Sequence, residues 1–150
     1  MTNIIDIQYA SDIAGLPDKE TLSHWVDSAL QNETSDLELT LRIVDLEEGA
    51  TLNEQWRKGS GATNVLSFPS DIDVEIELRL LGDIVICAPI IEREAEAQGK
   101  KLMDHWAHIV IHGTLHLLGY DHIEDNDASS MEAMEINILK TLKIDNPYKS

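Results

Sequence analysis

Hydrophobic and polar positions recur along the chain with two periods, and the points where the period changes divide it into elements. Residues 4–9 alternate apolar with polar and predict a first strand. Leu22, Trp25, Val26, Ala29 and Leu30 then fall at i, i+3, i+4, i+7 and i+8, a helical stripe with one buried face. Pro17 suits the opening turn of that helix, because the N–H it lacks would be unpaired there. Leu37, Leu39, Leu41 and Ile43 alternate with Glu38, Thr40 and Arg42, which predicts a second strand covered on one face. A short helix is expected over residues 52–57, a third strand over 64–68 stopped by Pro69, and a fourth strand over 81–87. Residues 71–77 hold four acids and read as a solvated loop. A helix over 90–98 follows, then a longer one over 101–118. The longer helix is apolar on most sides (Leu102, Trp106, Ile109, Val110, Leu115, Leu117, Leu118) and is therefore expected to be central and buried. Gly119 can take the left-handed conformation that ends it, and a last helix is expected over 128–142. This order predicts an α+β fold: one domain over residues 1–150, with a mixed sheet of about four strands, helices packed on it and a central buried metal-binding helix.

Composition narrows the class. A chain of 150 residues, 43% of them apolar, is the size of one domain and can bury roughly 70% of its unfolded surface. Cys87 stands alone, so no internal disulfide is expected. Residues 1–10 lack a basic residue, and the apolar runs are far shorter than the ~18 residues a membrane span needs, so a soluble cytoplasmic protein without a membrane role is expected. Twenty-eight acids against eleven bases give a net charge of −17. That field repels polyanions and argues against a domain that coats DNA or RNA. Any nucleic-acid role then needs a local basic spot or a partner that delivers the substrate.

Five of the six histidines lie between positions 105 and 122. His105, His108, His112 and His116 are spaced 3, 4 and 4, which confines them to about 80° of arc on one helix. A lone histidine there would be a hydrogen-bonded core residue, but a stripe of them needs a shared reason. His112 and His116 are i, i+4 neighbours about 6 Å apart and can direct both rings at one ion. His108 stands about 12 Å along the axis from His116, too far for one ion to serve both easily. His122 is better placed, since Gly119 lets the chain turn back over the same face. The expected ligands are therefore His112, His116 and His122. Three imidazoles without a fourth protein ligand point to one Zn2+ with an open, catalytic position, with another divalent transition metal as the alternative. Such an ion lowers the pKa of a bound water towards ~7. Asp121 could orient a ligand ring or be a surface acid. The spacing is also that of the metzincin proteases, yet Gly113 stands where their catalytic Glu would be, which weakens a peptidase reading. Met131 and Met134 are expected to pack in the core. His105 and His108 line the cleft or only pack, and His24 has no assigned role.

The run from His112 to His122 resembles the signature of the YbeY family of bacterial ribosome-maturation endoribonucleases. Thr63-Asn64-Val65-Leu66-Ser67-Phe68-Pro69, Leu81-Gly82-Asp83-Ile84-Val85-Ile86-Cys87 and His105-Trp106-Ala107-His108 are similar as well. The resemblance implies a zinc-dependent, single-strand-specific endoribonuclease acting in 16S ribosomal RNA 3′-end maturation and ribosome quality control. Ribosomal RNA, the small ribosomal subunit and its proteins would be the partners. It also implies that His112 and His116 belong to the catalytic centre and that Arg57 matches the family's functional arginine. A guanidinium can grip a phosphate through two hydrogen bonds, and Lys58 beside it makes a small basic spot. Without the resemblance Arg57 reads as a surface charge at a helix end. Two other readings remain: a ribosome-assembly factor with a structural zinc, and a metal hydrolase of another substrate class. The residues leave open the general base or acid and the attacking nucleophile.

Overall fold

The structure is a computed structural model, and it describes residues 3–33, 36–56, 61, 63–70, 78–120 and 125–148. In chain order the elements are β1 (Ile4–Ala10), α1 (Lys19–Ala29), β2 (Asp36–Val44), α2 (Leu46–Trp56), β3 (Val65–Pro69), β4 (Leu78–Cys87), α3 (Ala88–Gln98), α4 (Leu102–Leu117) and α5 (Asp125–Thr141). The four strands form one sheet in the order β1-β2-β4-β3. β1 and β4 each pair parallel with β2, and β3 pairs antiparallel with β4 along an edge. The expected α+β single domain with a mixed four-stranded sheet is what the chain builds.

Strand alternation sorts side chains onto the two sheet faces. Leu37, Leu39, Leu41 and Ile43 of β2 join Ile84 and Ile86 of β4 in the main core with α1, α4 and α5. Val44, Val85 and Cys87 face the other way, into a smaller cluster with Leu66 and, from α2, Leu46 and Leu52. α4 is buried nearly throughout, from His105 to Leu117, as its composition demands. Its end follows the expectation for Gly119, whose φ is 106°. The Tyr120 N–H reaches the Leu115 carbonyl and the Gly119 N–H reaches that of His116, which satisfies carbonyls the helix would otherwise leave open.

Several boundaries differ from the sequence expectation. α1 begins after Pro17, not at it. Asp18 is the cap, its side chain accepting from the Thr21 N–H at 2.8 Å, while the Pro17 carbonyl accepts from the Tyr9 hydroxyl. A carboxylate satisfies a free N–H and favours the positive helix end, which proline cannot do. α2 starts six residues before the expected 52. Gly49 masks its first turn in the sequence, but Arg42 of β2 grips Glu48 through two bonds of 2.5 and 3.0 Å and fastens that turn to the sheet. α3 begins at Ala88 rather than 90, with Pro89 in its first turn. α5 runs from Asp125 to Thr141 instead of 128–142. β4 begins at Leu78 instead of 81, because a bulge sets Glu38 opposite Leu80 and Leu39 opposite Gly82, so pairing continues past an unmatched Leu81. The acidic loop expected over 71–77 lies outside the described residues.

Candidate metal centre

α4 lies across the edge strand β3, and this crossing makes the site. Gly113 is where they meet. A Cβ there would stand 3.0 Å from Ile84 Cγ2 and 3.1 Å from Val65 Cγ2, and the Ser67 hydroxyl donates to the Gly113 carbonyl at 3.0 Å. The position that carries a general base in metzincins is thus closely covered by the sheet, and a larger side chain would have to push Ile84 and Val65 aside. On either side of it in sequence, His112 and His116 open into a cleft of about 640 Å³ whose other wall is Thr63, Asn64, Val65, Leu66, Ser67 and Pro69. The stretch that resembled the family signature is therefore the wall facing the histidines.

The four histidines of the stripe pack ring against ring, with centroids 6.3 Å apart for His105–His108, 6.1 Å for His108–His112 and 4.5 Å for His112–His116. Only the last pair converges at the cleft: His112 Nε2 and His116 Nε2 are 3.1 Å apart. Two nitrogens bound tetrahedrally to one zinc at ~2.0–2.1 Å are separated by about 3.3 Å, so the pair already stands at ligand spacing. His122, the expected third ligand, lies outside the described residues, as do Arg57, Lys58 and Asp121.

A residue the sequence reading missed completes the picture. Glu135 of α5 is fully buried. Its Oε1 lies 2.6 Å from His112 Nδ1 and its Oε2 2.8 Å from His108 Nε2, and the Tyr148 hydroxyl also bonds to Oε2. Burial alone would raise the Glu135 pKa, but bonds from His108, His112 and Tyr148 outweigh it and hold the carboxyl down at about 2. An ionised carboxylate only accepts, so the His112 proton is on Nδ1 and the lone pair of a neutral ring is on Nε2, facing His116. Burial, followed by the bond to Glu135, pushes the Tyr148 hydroxyl upward and keeps it a donor. The signal in the sequence was faint: a carboxylate four residues after Met131 and three before Ile138, on the stripe that faces the core. Met131 is buried and Met134 packs against the core, as expected of them.

Among the described residues, His108, His112 and Glu135 also bring ligand atoms within 4.8 Å of one another, a group that could hold a metal ion. Their 2.6 and 2.8 Å contacts are hydrogen-bond distances, shorter than two ligands of one ion keep. The Nε2 pair at the cleft fits an ion better. His105 and His108 are buried, His105 Nε2 donating to Glu94 at 2.9 Å, and their Nδ1 atoms have no partner among the described residues. Burial lowers the His105 pKa, only partly offset by Glu94, so this ring is neutral. Glu94 in turn accepts from the Asn64 amide in the cleft wall. On α1 the His24 carbonyl accepts from the Ser28 hydroxyl, and His24 takes no part in the site.

Comparison with known proteins gives the family. The sequence model of Endoribonuclease YbeY matches residues 6–143. The chain belongs to the YbeY endoribonuclease family. Two relatives named Endoribonuclease YbeY show how close the kinship is. That of Colwellia psychrerythraea is 50% identical, covering 99% of this chain and 98% of its own. That of Pseudomonas putida is 52% identical, covering 96% and 92%. The solution structure of TM1509 from Thermotoga maritima is 25% identical with a TM-score of 0.59, over 96% of this chain and 99% of that one. The expected family is borne out, and with it an enzyme of the endoribonuclease class. No helix among the described residues is long and apolar enough to cross a membrane.

Proposed function

We propose that the chain is a zinc-dependent endoribonuclease that cuts single-stranded ribosomal RNA, in maturation of the 16S 3′ end and in ribosome quality control, in the cytoplasm and with the small ribosomal subunit as partner. The observation that carries the reading is the 3.1 Å approach of His112 Nε2 and His116 Nε2 at the mouth of a cleft, in a chain of an endoribonuclease family. His112, His116 and His122 would hold the ion. Bound there, zinc supplies a Lewis acid and a water of lowered pKa. Glu135 holds the proton on His112 Nδ1 and so keeps Nε2 available. Thr63 and Asn64 offer polar groups to a ribose–phosphate chain along the opposite wall. Arg57 would grip the phosphate bidentately and offset charge developing on it.

The test pairs elemental analysis with cleavage of a single-stranded RNA containing the 16S 3′ end. Wild type is expected to carry about one zinc per chain, and His116→Ala to lose both metal and cleavage, by 100-fold or more in rate on the order expected for removing a catalytic ion's ligand. Undiminished cleavage by nuclease-free His116→Ala protein would sink the proposal. The net charge of −17 favours one other reading, an assembly factor with structural zinc whose partner does the cutting. That reading gains if metal removal unfolds the protein while Arg57→Ala leaves ribosome maturation in cells intact.

A further inference from the structure

The chain does not end with its last helix. Lys143, at φ 63°, reverses the backbone just after α5, and the Ile144 N–H closes the turn on the Leu139 carbonyl. The Asn146 side chain then accepts from the Tyr148 N–H at 2.8 Å, a local turn that points the segment back along α5. Tyr148 comes to rest with its ring edge-on to His108, centroids 5.3 Å apart, and its hydroxyl on Glu135, thirteen residues earlier in the chain. Glu135 has two oxygens and two duties. Oε1 serves His112, while Oε2 is held by Tyr148 and His108. A carboxylate anchored through one oxygen cannot rotate the other away, so the contacts on Oε2 set the direction of the bond to His112.

We infer that Tyr148 is a positioning residue of the metal centre: through Glu135 it fixes the tautomer and ring orientation of His112, so that the C-terminal segment is a structural part of the site. Tyr148 lies five residues beyond the 6–143 stretch that the family model matches, and neither it nor Glu135 reaches the cleft. They reach the cleft through His112, which Glu135 bonds at Nδ1. Partners of this kind hold a metal-bound imidazole in its tautomer and raise its basicity, and losing one weakens metal binding about 10- to 100-fold. The inference rests on the metal reading of His112 given above.

Two measurements on the full-length protein test it. In metal-free protein, ring-nitrogen NMR is expected to show the Nδ1–H tautomer at His112 in wild type, with a growing Nε2–H fraction in Tyr148→Phe and a larger one in Glu135→Ala. Zinc affinity, from competition with a chelator, is expected to fall on the order of 10-fold in Tyr148→Phe and towards 100-fold in Glu135→Ala. Glu135→Gln, whose side-chain oxygen still accepts, is expected to lie between wild type and Glu135→Ala. Tyr148→Phe keeps the ring on His108, and an unchanged unfolding midpoint of the metal-free variant confirms an intact fold. Wild-type tautomer and affinity in Tyr148→Phe would overturn the inference, as would weaker binding with an unchanged tautomer and a lowered unfolding midpoint. If wild type binds no zinc, the metal reading falls, and the tautomer comparison alone decides on Tyr148.

Discussion

His105 shows how one residue of a functional-looking stripe can serve the scaffold. It is 3% exposed and neutral, its Nε2 proton given to Glu94, which also receives the Asn64 amide from the cleft wall. Burial, the main cause, places its folded pKa below the unfolded value of about 6.5, so below that pH the unfolded chain binds the extra proton. Stability contributed by the neutral ring is therefore complete above pH ~6.5 and declines as the solution is acidified, down to the folded pKa. Urea midpoints taken from pH 7.5 to 5.5 with chelator present should fall in wild type. They should fall less in His105→Gln, whose amide can still donate to Glu94. Equal slopes in the two proteins would show that another group governs this range. Both occupy the same helical stripe, and in the sequence what set them apart was the ligand spacing of His112, His116 and His122, not periodicity. Their difference lies in what stands opposite: a carboxylate on α3 for one, an open cleft for the other.

At the scale of elements, the decisive feature is how closely β3, β4 and α4 approach one another. Gly113 was legible as a missing catalytic glutamate, but its structural reason is the sheet pressed against α4. Gly82 makes the same point on β4. Its φ is 135°, and a Cβ there would lie 2.1 Å from the Phe68 carbonyl oxygen, at the bulge that lets β4 pair with β2 and β3 at once. Pro69 stands opposite it on the edge strand, where its missing N–H leaves no ladder bond unmade, and Ser70 resumes the ladder to Leu81 at 2.8 Å. Gly82→Ala combines forbidden backbone with direct overlap, so a loss of at least about 3 kcal/mol is expected. Chemical denaturation checks it; a loss under 1 kcal/mol would mean that the strands part at little cost. Since Thr63 to Pro69 form the cleft wall, partial unfolding there should also reduce RNA cleavage.

The whole molecule carries −17 charges around a cleft proposed to receive RNA. Long-range repulsion of this kind is screened over a Debye length of about 8–10 Å at physiological salt. Most RNA-binding proteins lose affinity as salt rises. Here the net field predicts the opposite for free RNA: kcat/KM should rise from low salt to about 150 mM, by something like 2- to 10-fold, before local phosphate contacts weaken. A monotonic fall from the lowest salt onward would mean that local basic groups, Arg57 and Lys58 first, dominate the encounter. The same field favours RNA presented by a partner over capture of free RNA.

Periodicity and composition by themselves determined the element order, the burial of α4, the two-faced strands and the histidine pair that faces the cleft, because each follows from spacing along a single segment. Motif resemblance determined the family for the same reason, since its signatures are contiguous. Helix starts at Lys19 and Leu46, the bulge at Leu81, the wall opposite His112 and the Glu135–Tyr148 support were decided by tertiary structure. Each depends on a group from a distant segment, such as Arg42 on Glu48 or Tyr148 on Glu135, and a contact across the fold leaves no period in the chain to read.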